Sequence, residues 1–206
     1  MNILSHRGWW NTLAERNSAA AFQRSFSAGF GTETDVRDLC GTLVVSHDMP
    51  SGDEMLFEDV LKIMDGRNLP LAINIKADGL VEPLLEMLNR YRQTCYFTFD
   101  MSIPDLVVQT TYGANVFTGL SDIVPVPVLL DKCCGIWLDA FFSEWYGADL
   151  IDGLLESGKQ ICIVSPDLHK RNPFAHWEVI RSCRGLRDGR LMLCTDMPDK
   201  AREFFA

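Results

Sequence analysis

Short apolar or β-branched runs alternate with longer amphipathic stretches from one end of this chain to the other. That rhythm constrains the fold more than any single residue. A short strand followed by a helix and then another strand reads as a βα unit, and repeated βα units make a parallel sheet. The strand-like runs are Asn2–Ser5, Gly31–Val36, Leu43–Ser46, Leu71–Lys76, Cys95–Phe99, Asn115–Thr118, Gly135–Asp139, Gln160–Val164 and Arg190–Cys194. Helical spacing of apolar residues predicts helices over Asn17–Ala28, Phe57–Met64, Leu80–Tyr91, Ile103–Tyr112, Leu150–Ser157, Phe174–Cys183 and Lys200–Phe205. Glycines at 29, 66 and 158 fall where helices should stop. The second and third runs sit close enough to be hairpin partners or a tight crossover. The remaining pattern fits eight parallel strands closed into a barrel, and it fits a doubly wound open sheet nearly as well, because periodicity does not separate the two.

No linker, low-complexity tract or short repeat interrupts the pattern, so residues 1–206 read as a single domain. The chain is 47% hydrophobic and 23% charged, an ordinary globular balance. Its net charge of -9 opposes a broad grip on nucleic acid or anionic membrane. A small anionic substrate stays open, since a metal or a local arginine reverses the field within a cleft. The cysteine count of seven is odd and includes no CxxC pair, which suggests small buried hydrophobes in a reducing compartment. The start MNILSHRGWW lacks the features of a signal peptide, and no apolar run is long enough for a transmembrane segment. The expectation is a soluble, cytoplasmic protein.

Polar residues gather just after the early strands. His6 and Arg7 follow the first, Glu33 and Asp35 lie on the second, His47 and Asp48 follow the third, and Asn74 and Lys76 end the fourth. In parallel α/β folds, loops at the carboxyl ends of strands build the active site. Glu33 and Asp35 are two positions apart, so on a strand they share a face. Two such carboxylates repel and lose solvation, and they need compensation. A hard divalent cation supplies it; so would salt bridges to Arg7, Arg37 or Lys76. His6 and His47 can take a proton from one oxygen and give one to another. Arg7 can hold a phosphate in fork geometry.

These motifs make the chain resemble the glycerophosphodiester phosphodiesterase family of the phospholipase C-like phosphodiesterases. The resemblance runs through Ser5-His6-Arg7-Gly8, Glu15-Arg16-Asn17-Ser18, Ala21-Phe22, Glu33-Thr34-Asp35-Val36, Leu43-Val44-Val45 and Ser46-His47-Asp48, and returns at Thr195-Asp196-Met197-Pro198. It spans nearly the whole chain, is specific over residues 5–48 and diffuse between about 80 and 190. It implies an α/β (β/α)8 TIM barrel. It also implies His6 and His47 as the acid–base pair, Glu33 and Asp35 as ligands of a divalent metal, Mg²⁺ or Ca²⁺, and Arg7 as a phosphate contact. In the family, a neighbouring glycerol hydroxyl attacks the phosphate, and the cyclic phosphate formed is then hydrolysed.

Two departures qualify the resemblance. Where the family usually carries Glu-x-Lys, this chain has Asn74-Ile75-Lys76. An asparagine oxygen can still ligate Mg²⁺ or Ca²⁺ but brings no charge, and Asn74 could equally hydrogen-bond a neighbour; Lys76 becomes a further phosphate contact. Met49–Met55 is also a shorter connection than usual, which opens the mouth and favours a bulkier or attached substrate. The expected function is hydrolysis of a small phosphodiester or of one within a glycoconjugate. A lyase that stops at the cyclic phosphate, or a phosphoester-binding module with a degraded metal site, are the alternatives. Trp9, Trp10, Trp137 and Trp145 read first as packing residues, Asp196 as a loop or capping residue, and His169 and His176 as ordinary surface.

Overall fold

The computed structural model describes residues 1–206. Its nine strands are β1 (Asn2–His6), β2 (Gly31–Leu39), β3 (Thr42–Val45), β4 (Leu71–Ile75), β5 (Tyr96–Phe99), β6 (Phe117–Leu120), β7 (Gly135–Leu138), β8 (Gln160–Val164) and β9 (Leu191–Thr195). Eight of them run parallel in the order β5-β4-β2-β1-β9-β8-β7-β6. The ring is nearly closed. Between β5 and β6 the ladder is reduced to one bridge, Thr98 to Val116, with the Thr98 amide donating to the Asn115 carbonyl at 2.8 Å. The architecture is a (β/α)8 barrel, which decides between the closed and open arrangements that periodicity left equal.

The ninth strand, β3, is a hairpin partner outside the ring, antiparallel to β2 with Val36 opposite Val45. Cys40 (φ 50) and Gly41 (φ 83) form its two-residue turn. Positive φ at both turn positions gives the twist a tight hairpin needs.

Helices α1 (Ala19–Ser27), α2 (Phe57–Met64), α3 (Val81–Arg90), α4 (Ile103–Thr111), α5 (Ala148–Glu156), α6 (Phe174–Arg181) and α7 (Pro198–Phe204) surround the ring. Each lies where helical spacing predicts one. In α2, Phe57, Val60, Leu61 and Met64 are buried at i, i+3, i+4 and i+7, and the helix ends at left-handed Asp65 and Gly66. Helix α1 starts two residues later than the spacing suggests, because the Ser18 side chain accepts from the Ala21 amide and caps it. Residues 121–134, between β6 and β7, hold no helix, so one of the eight βα units has a bare loop.

The strand alternation separates two cores. Val36, Leu71, Ile73 and Ile75 face outward and pack with Phe22, Phe26, Val60 and Leu84 of the helices. A matching layer joins Ile136, Leu138, Ile161 and Leu193 to Ile151, Trp177 and Ile180. Inside the ring lie Leu4, Ala72, Phe97, Phe99, Phe117, Trp137, Cys162, Val164, Met192 and Cys194. Phe97 stacks on Phe117 at 3.7 Å and Phe99 on Trp137 at 3.9 Å. The Phe97–Phe117 stack spans the weakly bonded seam, so side-chain packing completes the closure there. Burying one such side chain contributes about 1.5–3 kcal/mol. All seven cysteines are free; Cys40 and Cys95 are exposed, which corrects the expectation that the set is buried. No helix is long and apolar enough to cross a membrane.

Candidate active site

The apolar filling stops short of the carboxyl ends of the strands. Continuing the inward alternation past Leu4, Ala72, Trp137 and Cys194 places His6, Asn74, Asp139 and Asp196 on the inner face, beside Glu33 and Asp35. The mouth is therefore polar where β1, β2, β4, β7 and β9 change residue type at their last inward positions, while β5 and β8 keep Phe99 and Val164 inward at their ends. Parallel register makes His6 a neighbour of Glu33, and Asp35 a neighbour of Asn74.

His6 is fixed from both sides. Its Nδ1 lies 2.7 Å from Asp196 Oδ1, and its Nε2 lies 3.8 Å from Glu33 Oε2. An ionised carboxylate only accepts, so the short Asp196 contact puts the imidazole proton on Nδ1 and leaves the Nε2 lone pair facing the mouth. Asp196 is held in turn by Arg16 Nη2 at 3.0 Å. Trp10 Nε1 donates to the His6 carbonyl at 3.0 Å, and Arg16 lies over the Trp10 ring. Asp196, expected to be a loop or capping residue, is the partner that orients His6. The Thr195-Asp196-Met197-Pro198 segment at the end of β9 was the available signal.

The carboxylate pair divides into two environments. Asp35 is fully buried and neutralised: Arg7 Nε lies 2.9 Å from Oδ2, Lys76 Nζ lies 3.4 Å from Oδ1, and Asn17 Nδ2 donates to Oδ2 at 2.9 Å. Two of the three expected cations thus pair with it; Arg37 instead reaches Met49 Sδ. Arg7 adopts φ 60, the left-handed turn that brings the chain off β1 back over the strand ends. Glu33 has no cation in contact. Burial, and then the charge of Asp35, push its carboxyl well above the usual carboxylate range.

Glu33 Oε2, Asp35 Oδ1 and Asn74 Oδ1 are buried and lack hydrogen-bond partners. These three oxygens on two adjacent strands, two of them with no partner and Asp35 Oδ1 with only the Lys76 contact, are the atoms here suited to a hard cation. No group of three or more His, Cys, Asp or Glu side chains forms a metal cluster, so any such set depends on the Asn74 amide oxygen. The other end of that amide donates to Asp100 Oδ2 at 3.2 Å. Asp100, just past β5, is accessible at the rim, yet its carboxyl lies low enough among protein atoms that lost water pushes it up to about 6. Asp139 and Asp35 add to that rise, while Lys76 and the Asn74 bond oppose it.

His47 stands apart from His6. It lies on the loop after β3, its side chain is 48% exposed, and its Nδ1 contacts Asp48 Oδ1 at 2.9 Å. It lines an open cleft of about 770 Å³ together with Arg7, Arg16, Asn17, Asp48 and Asp53. The shortened connection beneath it is tied down by Glu54, which accepts from the Gly52 amide at 2.8 Å, and by Val45 N–H donating to the Met55 carbonyl.

The opposite wall holds a second histidine. His169 Nε2 lies 2.7 Å from Asp139 Oδ1 and is only partly exposed, and the Trp145 indole donates to the Asp139 carbonyl at 2.8 Å. His176 is buried against the Tyr146 ring. Both correct the expectation of ordinary surface. The chain supplies their burial from β7 and the segment after it, 30 residues away in sequence for the Asp139–His169 pair.

No family model matches the sequence, and no curated protein matches it either. Solved structures do match in fold. A phosphodiesterase of Oleispira antarctica, determined with the product sn-glycerol-3-phosphate, is 14% identical, with a TM-score of 0.67 over 99% of this chain and 96% of that one. A glycerophosphodiester phosphodiesterase from Agrobacterium tumefaciens is 17% identical, with a TM-score of 0.68 over 98% of this chain and 99% of that one. The fold implied by the sequence motifs is the fold of these two enzymes.

Proposed function

We propose that this chain is a phosphodiesterase acting on a glycerophosphodiester or a related phosphodiester, with a divalent cation, Mg²⁺ or Ca²⁺, at the barrel mouth. The observation that carries this reading is His6, clamped by Asp196 with its second nitrogen free beside a buried, unpartnered Glu33. The shared fold of the two phosphodiesterases, one of them determined with sn-glycerol-3-phosphate, supports it.

Glu33, Asp35 and Asn74 fit a hard cation because Glu33 and Asn74 each leave a buried oxygen without a partner, and Asp35 Oδ1 makes no hydrogen bond and holds only the 3.4 Å Lys76 contact. When bound, the metal would withdraw charge from the phosphoryl oxygens and lower the barrier to attack. Arg7 and Lys76 would then exchange part of their grip on Asp35 for the phosphate. His6 Nε2 accepts the proton of a neighbouring substrate hydroxyl as that oxygen bonds to phosphorus. The P–O bond to the leaving alcohol breaks, and His47 protonates that alcohol from the loop side. Water then opens the cyclic phosphate with the two proton roles reversed. The mouth rim carries exposed Leu13, Met49, Phe141 and Phe142, which favours an alcohol larger than a small polar headgroup, including one within a glycoconjugate.

A second reading has one observation in its favour. Asp35 already carries two cations, so the mouth can stand neutralised without metal and bind a phosphoester without turning it over. Chelator-stripped protein, assayed with glycerophosphodiesters while Mg²⁺ or Ca²⁺ is titrated, separates the two. Metal-dependent release of alcohol, with no release from bis(p-nitrophenyl) phosphate, is expected, because the latter has no neighbouring hydroxyl. Tight binding with no turnover at any metal concentration would favour the binding module.

A further inference from the structure

We propose that Asp100 is the positioning residue of the metal centre: it aims the Asn74 amide oxygen into the site and supplies, from the next strand, the negative charge that Asn74 lacks. The inference rests on the metal reading above and deepens it.

Asn74 is the third of the candidate metal ligands, next to Asp35 across the β2–β4 ladder. A carboxylate there would offer two equivalent oxygens, but an amide must be oriented. Its Nδ2 is a donor and useless to a cation, and only Oδ1 can serve. Asp100 resolves that choice. Its carboxylate accepts from Asn74 Nδ2 at 3.2 Å, which turns Oδ1 the other way. That oxygen is buried and unpartnered, as is Glu33 Oε2.

Asp100 should not reach this position by strand geometry. Phe97 and Phe99 face inward, so the next residue would face outward. Asp100 instead takes φ 62, and the left-handed backbone brings its carboxylate to Asn74. Lys76 and Asp35 are near enough to act on its charge. The anionic count of the mouth is thus kept with one carboxylate moved from β4 to the end of β5, one hydrogen bond away from the cation site. Outer groups of this kind typically change metal affinity by about 10–100-fold.

The test is Mn²⁺ binding to the full chain, followed by loss of the free-ion electron paramagnetic resonance signal. D100N keeps an acceptor for Asn74 but removes the charge; D100A removes both. Affinity is expected to fall in the order wild type, D100N, D100A, with the D100A loss about 10–100-fold and the thermal midpoint of D100N unchanged. N74E is expected to tighten binding. In the N74E background D100A is expected to cost no more than D100N costs in the wild-type chain, because only the charge is then lost and no amide is left to orient. Equal affinity of D100A and wild type, or the same fold-loss for D100A in both backgrounds, would overturn the role of Asp100 and leave the metal reading standing. No Mn²⁺ binding by the wild-type chain would remove both.

Discussion

At the residue scale, His6 and Asp196 make a unit whose parts have different jobs. His6 holds the lone pair that moves a proton, and Asp196 chooses which nitrogen carries it. Replacing His6 with alanine is expected to lower kcat by about 10²–10⁴-fold, the ordinary worth of a general base. Asp196→Asn should cost less, because an amide still contacts Nδ1 but can present its NH₂ group and stabilise the wrong tautomer. A pH–rate profile should move in Asp196→Asn and simply flatten in His6→Ala. Full activity in both variants would remove this pair from the chemistry.

At the scale of elements, the turn after β1 decides whether the site assembles. Gly8 sits at φ 80 with its amide donating to Thr32 Oγ1, and it lies against the first turn of α1. A methyl group there would lie 2.7 Å from the Ala21 side chain and 2.9 Å from its backbone carbon. Gly8→Ala therefore combines a strained backbone with a clash against a helix that cannot withdraw. Denaturant unfolding should register a loss of about 1–3 kcal/mol or more. Arg7 and His6 immediately precede this turn, so activity should fall further than stability alone would require. By contrast, Ser18→Ala removes only the α1 cap and should cost about 1 kcal/mol with the site intact.

At the scale of the whole molecule, pH acts on stability through groups of opposite sign. Burial lowers the His176 pKa below the ordinary 6.5 of a histidine, and both ring nitrogens lack partners. Below about pH 6.5 the unfolded chain takes up a proton that folded His176 refuses, so its contribution makes the fold less stable as pH falls. Asp100 works the other way. Its folded pKa of about 6 lies above the ordinary 3.8, so it favours the fold at low pH and loses that contribution as pH rises through 6. The His176→Leu variant isolates the first effect. Its urea midpoint, relative to wild type, should rise progressively as pH is taken from 7 to 5, and an offset that stays constant with pH would show that His176 does not titrate in this way.

What the sequence determined by itself was local. The nine strand runs, the helices between them, and the polar residues at 6, 33, 35, 47 and 74 all follow from periods of two and 3.6 and from residue type within a short window. Glu33 and Asp35 could be placed on one face because alternation along a strand needs no knowledge of the rest of the chain. Whatever depended on closing the ring waited for tertiary structure. Barrel and open sheet share one local pattern, and the ring order separates them, with β1 paired to β9 and β5 meeting β6 at the seam. Asp196 meets His6 across 190 residues, and Asn74 meets Asp100 through a left-handed residue that alternation assigns to the wrong side. His169 and Asp139 become neighbours only when β7 and β8 lie side by side. Residue type fixes what each group can donate or accept, but which groups meet, and which oxygens are left unpaired, is set by ring closure and by the loss of water within it.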